Sequence, residues 1–261
     1  MRVTSEQRLE DGVLEREFTL GEIPGVLWTP ARAASAAPAP LILMAHNNGL
    51  PKRDPRLVAR ARRTAVYGYA VATIDAAGCG DRARSAAEEQ ARADLRRAVQ
   101  AGEPADEIFE SVVGPLVERA APDWRTTLDA LLALPEVGGP VGYSGWTALG
   151  IRLAVTEPRI AAACFFAGGY VPRAQREEAR QVTVPLLLLL QWDDEGTRGS
   201  GPWTCSTPSA PGRRHCTPTW AGTPAPRRSS WTTRRGSTTG TWAGRPPRRP
   251  DGERQRRPYC P

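Results

Sequence analysis

Apolar residues along this chain come in short blocks whose spacing switches between two periods. From Leu14 to Pro30, "LEREFTLGEIPGVLWTP" alternates around a turn near Gly21, which predicts two strands joined as a hairpin. The runs "APLILMAH" (39–46), "YAVATIDAAG" (69–78), "PVGYS" (140–144), "IAAACFFAGG" (160–169) and "VTVPLLLLLQ" (182–191) are short and nearly continuous. All five predict strands, and the first two read as strands buried in the sheet. Between them, residues 55–66, about 83–101, about 105–134 and "WTALGIRLAVTE" (146–157) carry helical spacing. Strands that alternate with helices require crossovers. The fold class is therefore α/β, a mostly parallel sheet with helices on both faces.

After Gly196 the pattern stops. The last 65 residues contain no Leu, Ile, Val, Met or Phe, yet hold four Trp and three Cys among many Arg, Pro, Thr, Ser and Gly. The chain thus divides into an α/β body, 1–196, and an Arg/Pro/Thr/Trp-rich tail, 197–261, expected to be disordered. Charge divides at the same place. The body holds 22 Lys+Arg against 26 Asp+Glu and the tail 13 Arg against two acids, so the net +7 is −4 plus +11. Any electrostatic case for a nucleic acid or membrane partner rests on the tail alone. The five cysteines form no CxxC pair and the two histidines, His46 and His215, stand far apart, which argues against a metal site. The first residues lack an apolar signal core, and "VPLLLLL" is too short to span a bilayer. A cytoplasmic protein is the expectation.

Ligands of such sheets bind at the carboxyl ends of the strands. There the chain places "HNNGLPKR" (46–53), "DAAGCGDR" (75–82), "GYSGW" (142–146) and "QWDDEG" (191–196). A serine between a buried strand and a helix, with glycine two places before it, has the layout of a nucleophile elbow, and the next backbone N–H helps form an oxyanion hole. Asp193 and Asp194 follow a later strand in the chain order a Ser-Asp-His triad requires. More plainly, "DAAGCGDR" reads as a tight turn with a salt bridge, and His46 as a structural residue at a strand end.

Together "PVGYS", "TALGIRLAVTEPRI", "IDAAGCGDR" and "LLLLLQWDDEG" resemble, over roughly residues 14–196, the α/β-hydrolase fold and its dienelactone-hydrolase-like serine hydrolases. The resemblance implies Ser144 as nucleophile, Asp194 as triad acid, and the backbone N–H groups of Asn47 and Gly145 as oxyanion donors. It also implies a helical lid over about 83–122 and a small ester or lactone substrate, without cofactor or metal. The chain departs from the family's G-x-S-x-G at Trp146, whose codon is one base from that of glycine.

The family's histidine should lie beyond Asp194, where the sequence offers only His215 in "GRRHCTP", a poor base with no strand or helix around it. The genetic code offers a reason. If one base is missing near codon 197, each original codon joins the last base of one codon to the first two of the next. Trp, Cys and many Ser codons then become codons with T in the middle, which specify only Phe, Leu, Ile, Met or Val. Since Trp has a single codon, the Trp203–Thr204 and Trp231–Thr232 junctions must both read Asp. Likewise Trp220–Ala221 and Trp242–Ala243 must both read Gly. With permissible third bases the shifted frame gives L-D-L-F-D-A-F-G, a histidine loop G-G-H-T-G, and an amphipathic L-D-D-A-A-R-F-Y-D-R-H-L. The chain as translated then lacks the last strand and helix as well as the catalytic imidazole. It is expected to be nearly inactive and prone to aggregate along the opened sheet edge. Two rival functions remain open: an RNA-binding protein using the paired arginines of the tail, and a non-catalytic hydrolase-fold scaffold, which Trp146 would suit.

Overall fold

The computed structural model describes residues 1–30, 37–46, 50–80, 82–166 and 170–189. The hairpin predicted around Gly21 is formed by β2 (Val13–Leu20) and β3 (Ile23–Pro30), in register from Leu20↔Ile23 to Val13↔Pro30. Gly21 closes it with φ +59°, a conformation that glycine adopts without strain. The remaining strands are β1 (Arg2–Arg8), β4 (Ala39–Met44), β5 (Ala70–Ile74), β6 (Val137–Trp146), β7 (Ile160–Phe166) and β8 (Leu186–Leu188). They build one sheet in the order β1-β2-β3-β5-β4-β6-β7-β8. From β5 to β8 the neighbours run parallel, whereas β1, β2 and β3 pair antiparallel at one side.

Among the described residues five α-helices connect the strands. The helix α1 (Pro55–Val66) matches its predicted bounds, because Asp54 accepts hydrogen bonds from the N–H groups of Arg56 and Leu57 and Pro55 suits the first turn. A capping box between Ser85 and Glu88 starts α2 (Ala86–Ala101), and Gly102 ends it at φ +69°. The helix α3 (Asp106–Leu132) runs through both Pro115 and Pro122. α4 (Thr147–Thr156) follows β6 directly, and a short α5 (Arg173–Glu178) completes the set.

Alternation along the strands sends successive side chains to opposite faces. On one face Leu27, Leu41, Leu43, Tyr143 and Phe165 join Val117, Trp124, Leu128, Leu149 and Ile151 of α3 and α4. On the other, Val26, Trp28, Met44 and Val71 meet Leu57, Ala61 and Ala65 of α1. From Val113 onward α3 belongs to the main core, and Phe109 and Val112 of the same helix pack against it.

The α1 face also holds Glu15, which is 1% exposed. Its carboxylate accepts from Trp28 Nε1 (2.6 Å), Gln7 Nε2 (2.8 Å), Arg53 (2.9 Å) and Arg62 (2.9 Å). Burial by itself would raise this carboxyl, but the bonds from Arg53, Trp28, Arg62 and Gln7 outweigh it and hold the pKa at about 2.

Three expectations need amendment. The first strand of the sheet, "RVTSEQR", was not foreseen because every one of its residues is exposed and no apolar run marks it. α5 was missed for the same lack of signal. The leucine run was expected as a strand over 182–191, whereas β8 spans only Leu186–Leu188, with Leu186, Leu187 and Leu189 exposed. The tail from residue 197 lies outside the described residues.

Candidate active site

Parallel pairing places Met44, Ser144 and Cys164 side by side across β4, β6 and β7. Residues paired across a sheet share a face, so Ser144 points with Met44 toward α1, while Tyr143 points into the main core. There Tyr143 is buried, and its hydroxyl donates to the Trp146 carbonyl (2.8 Å). Ser144 is half-buried, near the carboxyl end of β6, and its Oγ accepts from Arg60 Nη2 (3.0 Å). Cys164 stands in hydrogen-bonding contact with the same serine, and burial pushes its thiol up. The guanidinium carbon of Arg60 sits over Phe166, 4.0 Å from the ring centroid.

The strand continues two residues beyond Ser144, and α4 begins at Thr147. Gly145 has φ +153°, and a methyl group built there would run into the Ala45 carbonyl. Ala45 also donates its N–H to the Ser144 carbonyl (3.0 Å), so the chain leaving β4 is pressed against the end of β6. Glycine is needed at 145 for both reasons. We expect Gly145→Ala to lose roughly 2–4 kcal/mol through combined overpacking and strain, read from the urea midpoint. Trp146 is only 5% exposed and packs into the main core, so the residue that replaces the family's glycine is accommodated inside the fold.

His46 follows β4, with Nε2 3.9 Å from Asp54 Oδ1, the carboxylate that caps α1. Asp75, fully buried after β5, accepts from the Lys52 backbone N–H (2.6 Å) and from Lys52 Nζ (2.9 Å). The segment that follows it is a tight turn, with Cys79 N–H bonded to the Ala76 carbonyl (2.8 Å) and Arg82 paired with Asp123 (2.5 Å). Asn47, Asp194 and His215 lie outside the described residues. Of the sequence-derived candidates, Ser144, Gly145 and His46 are described, and the first two are neighbours in β6. Arg60 was missed. Helical spacing puts it beside Leu57 and Ala61 on α1, but nothing local marks its contact with Ser144.

Among the described residues no group of three or more His, Cys, Asp or Glu gathers as a metal site. No described helix is long and apolar enough to cross a membrane.

No family model matches the sequence, and no curated protein matches it. Solved structures do. A cold-adapted esterase from an Arctic intertidal metagenomic library is 26% identical with a TM-score of 0.54, over 74% of this chain and 77% of that one. A dienelactone hydrolase-like promiscuous phosphotriesterase from metagenomic libraries is 22% identical (TM-score 0.48; 71% and 70%). A dienelactone hydrolase from Anabaena variabilis is 20% identical (TM-score 0.44; 72% and 73%). The parallel sheet with its antiparallel margin, the direct passage from β6 into α4, and the likeness to the esterase together make this chain a member of the α/β-hydrolase superfamily.

Proposed function

We propose that the encoded enzyme hydrolyses a carboxylic ester or lactone with Ser144 as nucleophile. The observation that carries this reading is the half-buried Ser144 hydroxyl near the carboxyl end of β6, followed at once by Gly145 and α4. In the mechanism, Ser144 Oγ attacks the carbonyl carbon while an imidazole removes its proton. The tetrahedral oxyanion is held by the N–H groups of Gly145 and Asn47. Collapse expels the alcohol, which takes the proton from the imidazole, and water then releases the acid by the same steps. Asp194 orients the imidazole, supplied by the G-G-H-T-G loop of the shifted frame. The likeness to the Arctic esterase supports the reaction class.

A fluorophosphonate probe tests the nucleophile. Expressed from a gene with one base inserted near codon 197, the protein is expected to take up one label on the peptide containing Ser144, and Ser144→Ala to take up none. A label on another residue, or equal labelling of the alanine variant, would sink the assignment. Burial of Trp146 in the core favours the scaffold reading as the second choice. That reading requires the repaired protein to remain unlabelled until Trp146 is changed to glycine.

A further inference from the structure

Among the described residues, four buried side-chain atoms without a hydrogen-bond partner fall at one helix interface. Gln175 of α5 is fully buried, and neither its Oε1 nor its Nε2 is engaged. Arg152 Nε, on α4, and Glu178 Oε2, on α5, are sealed from water in the same way. Two links bring the three residues together. Arg152 Nη2 pairs with Glu178 Oε1 (2.8 Å) and also with Glu118 of α3. Gln175 lies three positions before Glu178, so the two side chains leave the same face of α5. That face is turned inward, because Ala179, one turn beyond Gln175, belongs to the main core with Leu149 and Leu153 of α4. Gln175 and Glu178 thus line the side of α5 that packs on α4.

Two of these atoms donate, Gln175 Nε2 and Arg152 Nε, and two accept, Gln175 Oε1 and Glu178 Oε2. No hydrogen bond joins any of them to another. Polar atoms buried and left unmet in such numbers cost a large part of what a domain gains by folding. We propose that this interface binds internal water, held between Gln175, Arg152 and Glu178. Water fits the inventory because it both accepts and donates, and a buried water typically makes about three such bonds. Other occupants do not. A cation would face the Arg152 guanidinium, an anion would face the Glu178 carboxylate, and an apolar guest would satisfy none of the four atoms. Burial raises the Glu178 pKa and Glu118 adds to the rise, while Arg152 opposes both, so the carboxylate gains from a donor at Oε2. The bound water is then the joint that seats α5 on α4, the helix that follows the strand of Ser144. It does not depend on Ser144 being a nucleophile.

Water-to-protein NOE and ROE spectra of the full 261-residue chain test this at the Gln175 side-chain amide. Its Nε2 protons, identified by their loss in Gln175→Met, are expected to show cross-peaks to water with the opposed signs that mark proximity rather than proton exchange. Relaxation dispersion of the water signal is expected to register fewer long-lived waters in Gln175→Met than in the native chain, by about one. Should Gln175→Met fail to fold by circular dichroism, the cross-peaks of the native chain decide, with the amide assigned through bonds. A native Gln175 amide without water cross-peaks, or an undiminished dispersion in folded Gln175→Met, would overturn the proposal. So would a crystal structure in which Gln175 bonds directly to Arg152 or Glu178.

Discussion

Inserting a single base near codon 197 is expected to raise ester hydrolysis by about 10⁴-fold over that of the 261-residue chain. The size follows from the chemistry. Without a general base the serine proton has no acceptor as the carbonyl bond forms, and the leaving alcohol has no donor when the intermediate collapses. The oxyanion donors alone leave only a small residual rate. The readout is release of p-nitrophenol from a short-chain ester, with Ser144→Ala in the repaired frame returning the rate to that of the unrepaired chain. An inert repaired protein that is nonetheless folded would count against the slipped frame and the triad together. A 261-residue chain that already turns over ester at the repaired rate would show that no histidine had been lost.

The second large effect lies far from the site. Changing Glu15 to alanine is expected to destabilise the protein by roughly 3–5 kcal/mol, lowering Tm by about 10 °C. The substitution strands the buried Trp28 N–H without an acceptor and leaves Arg53 and Arg62 without the carboxylate that joins them to β2. Acid probes the same group. Its pKa in the folded protein, about 2, lies below the ordinary 4.5, so the contribution is fully present above about pH 5 and is lost as pH falls toward 2. The difference amounts to about 3 kcal/mol. Thermal unfolding followed between pH 6 and pH 2.5 is expected to show the native protein losing stability more steeply than Glu15→Gln, which carries no titrating carboxyl there. Parallel curves for the two proteins would argue that Glu15 does not carry this dependence.

How far the fold could be read depended on burial. The bounds of α1 were legible because the cap, the proline and the stripe of Leu57, Ala61 and Ala65 all mark the same segment. The strands from β2 to β7 were legible as apolar runs. β1 was not, since its seven exposed residues are held by pairing with β2 and leave no hydrophobic trace. β6 was read as 140–144 but spans Val137–Trp146, because its register with β4 and β7 sets its ends and the local sequence does not. At the site, glycine spacing pointed to Ser144 and Gly145. The Arg60 contact joins residues 84 apart in the chain, and no local pattern encodes it.

The exposed leucines of β8 bear on how long such a molecule lasts in a cell. Leu186, Leu187 and Leu189 present to water the kind of surface that chaperones and quality-control proteases recognise in unfinished proteins. Such surface would hold the protein at low abundance by turnover, even while its sheet stays intact.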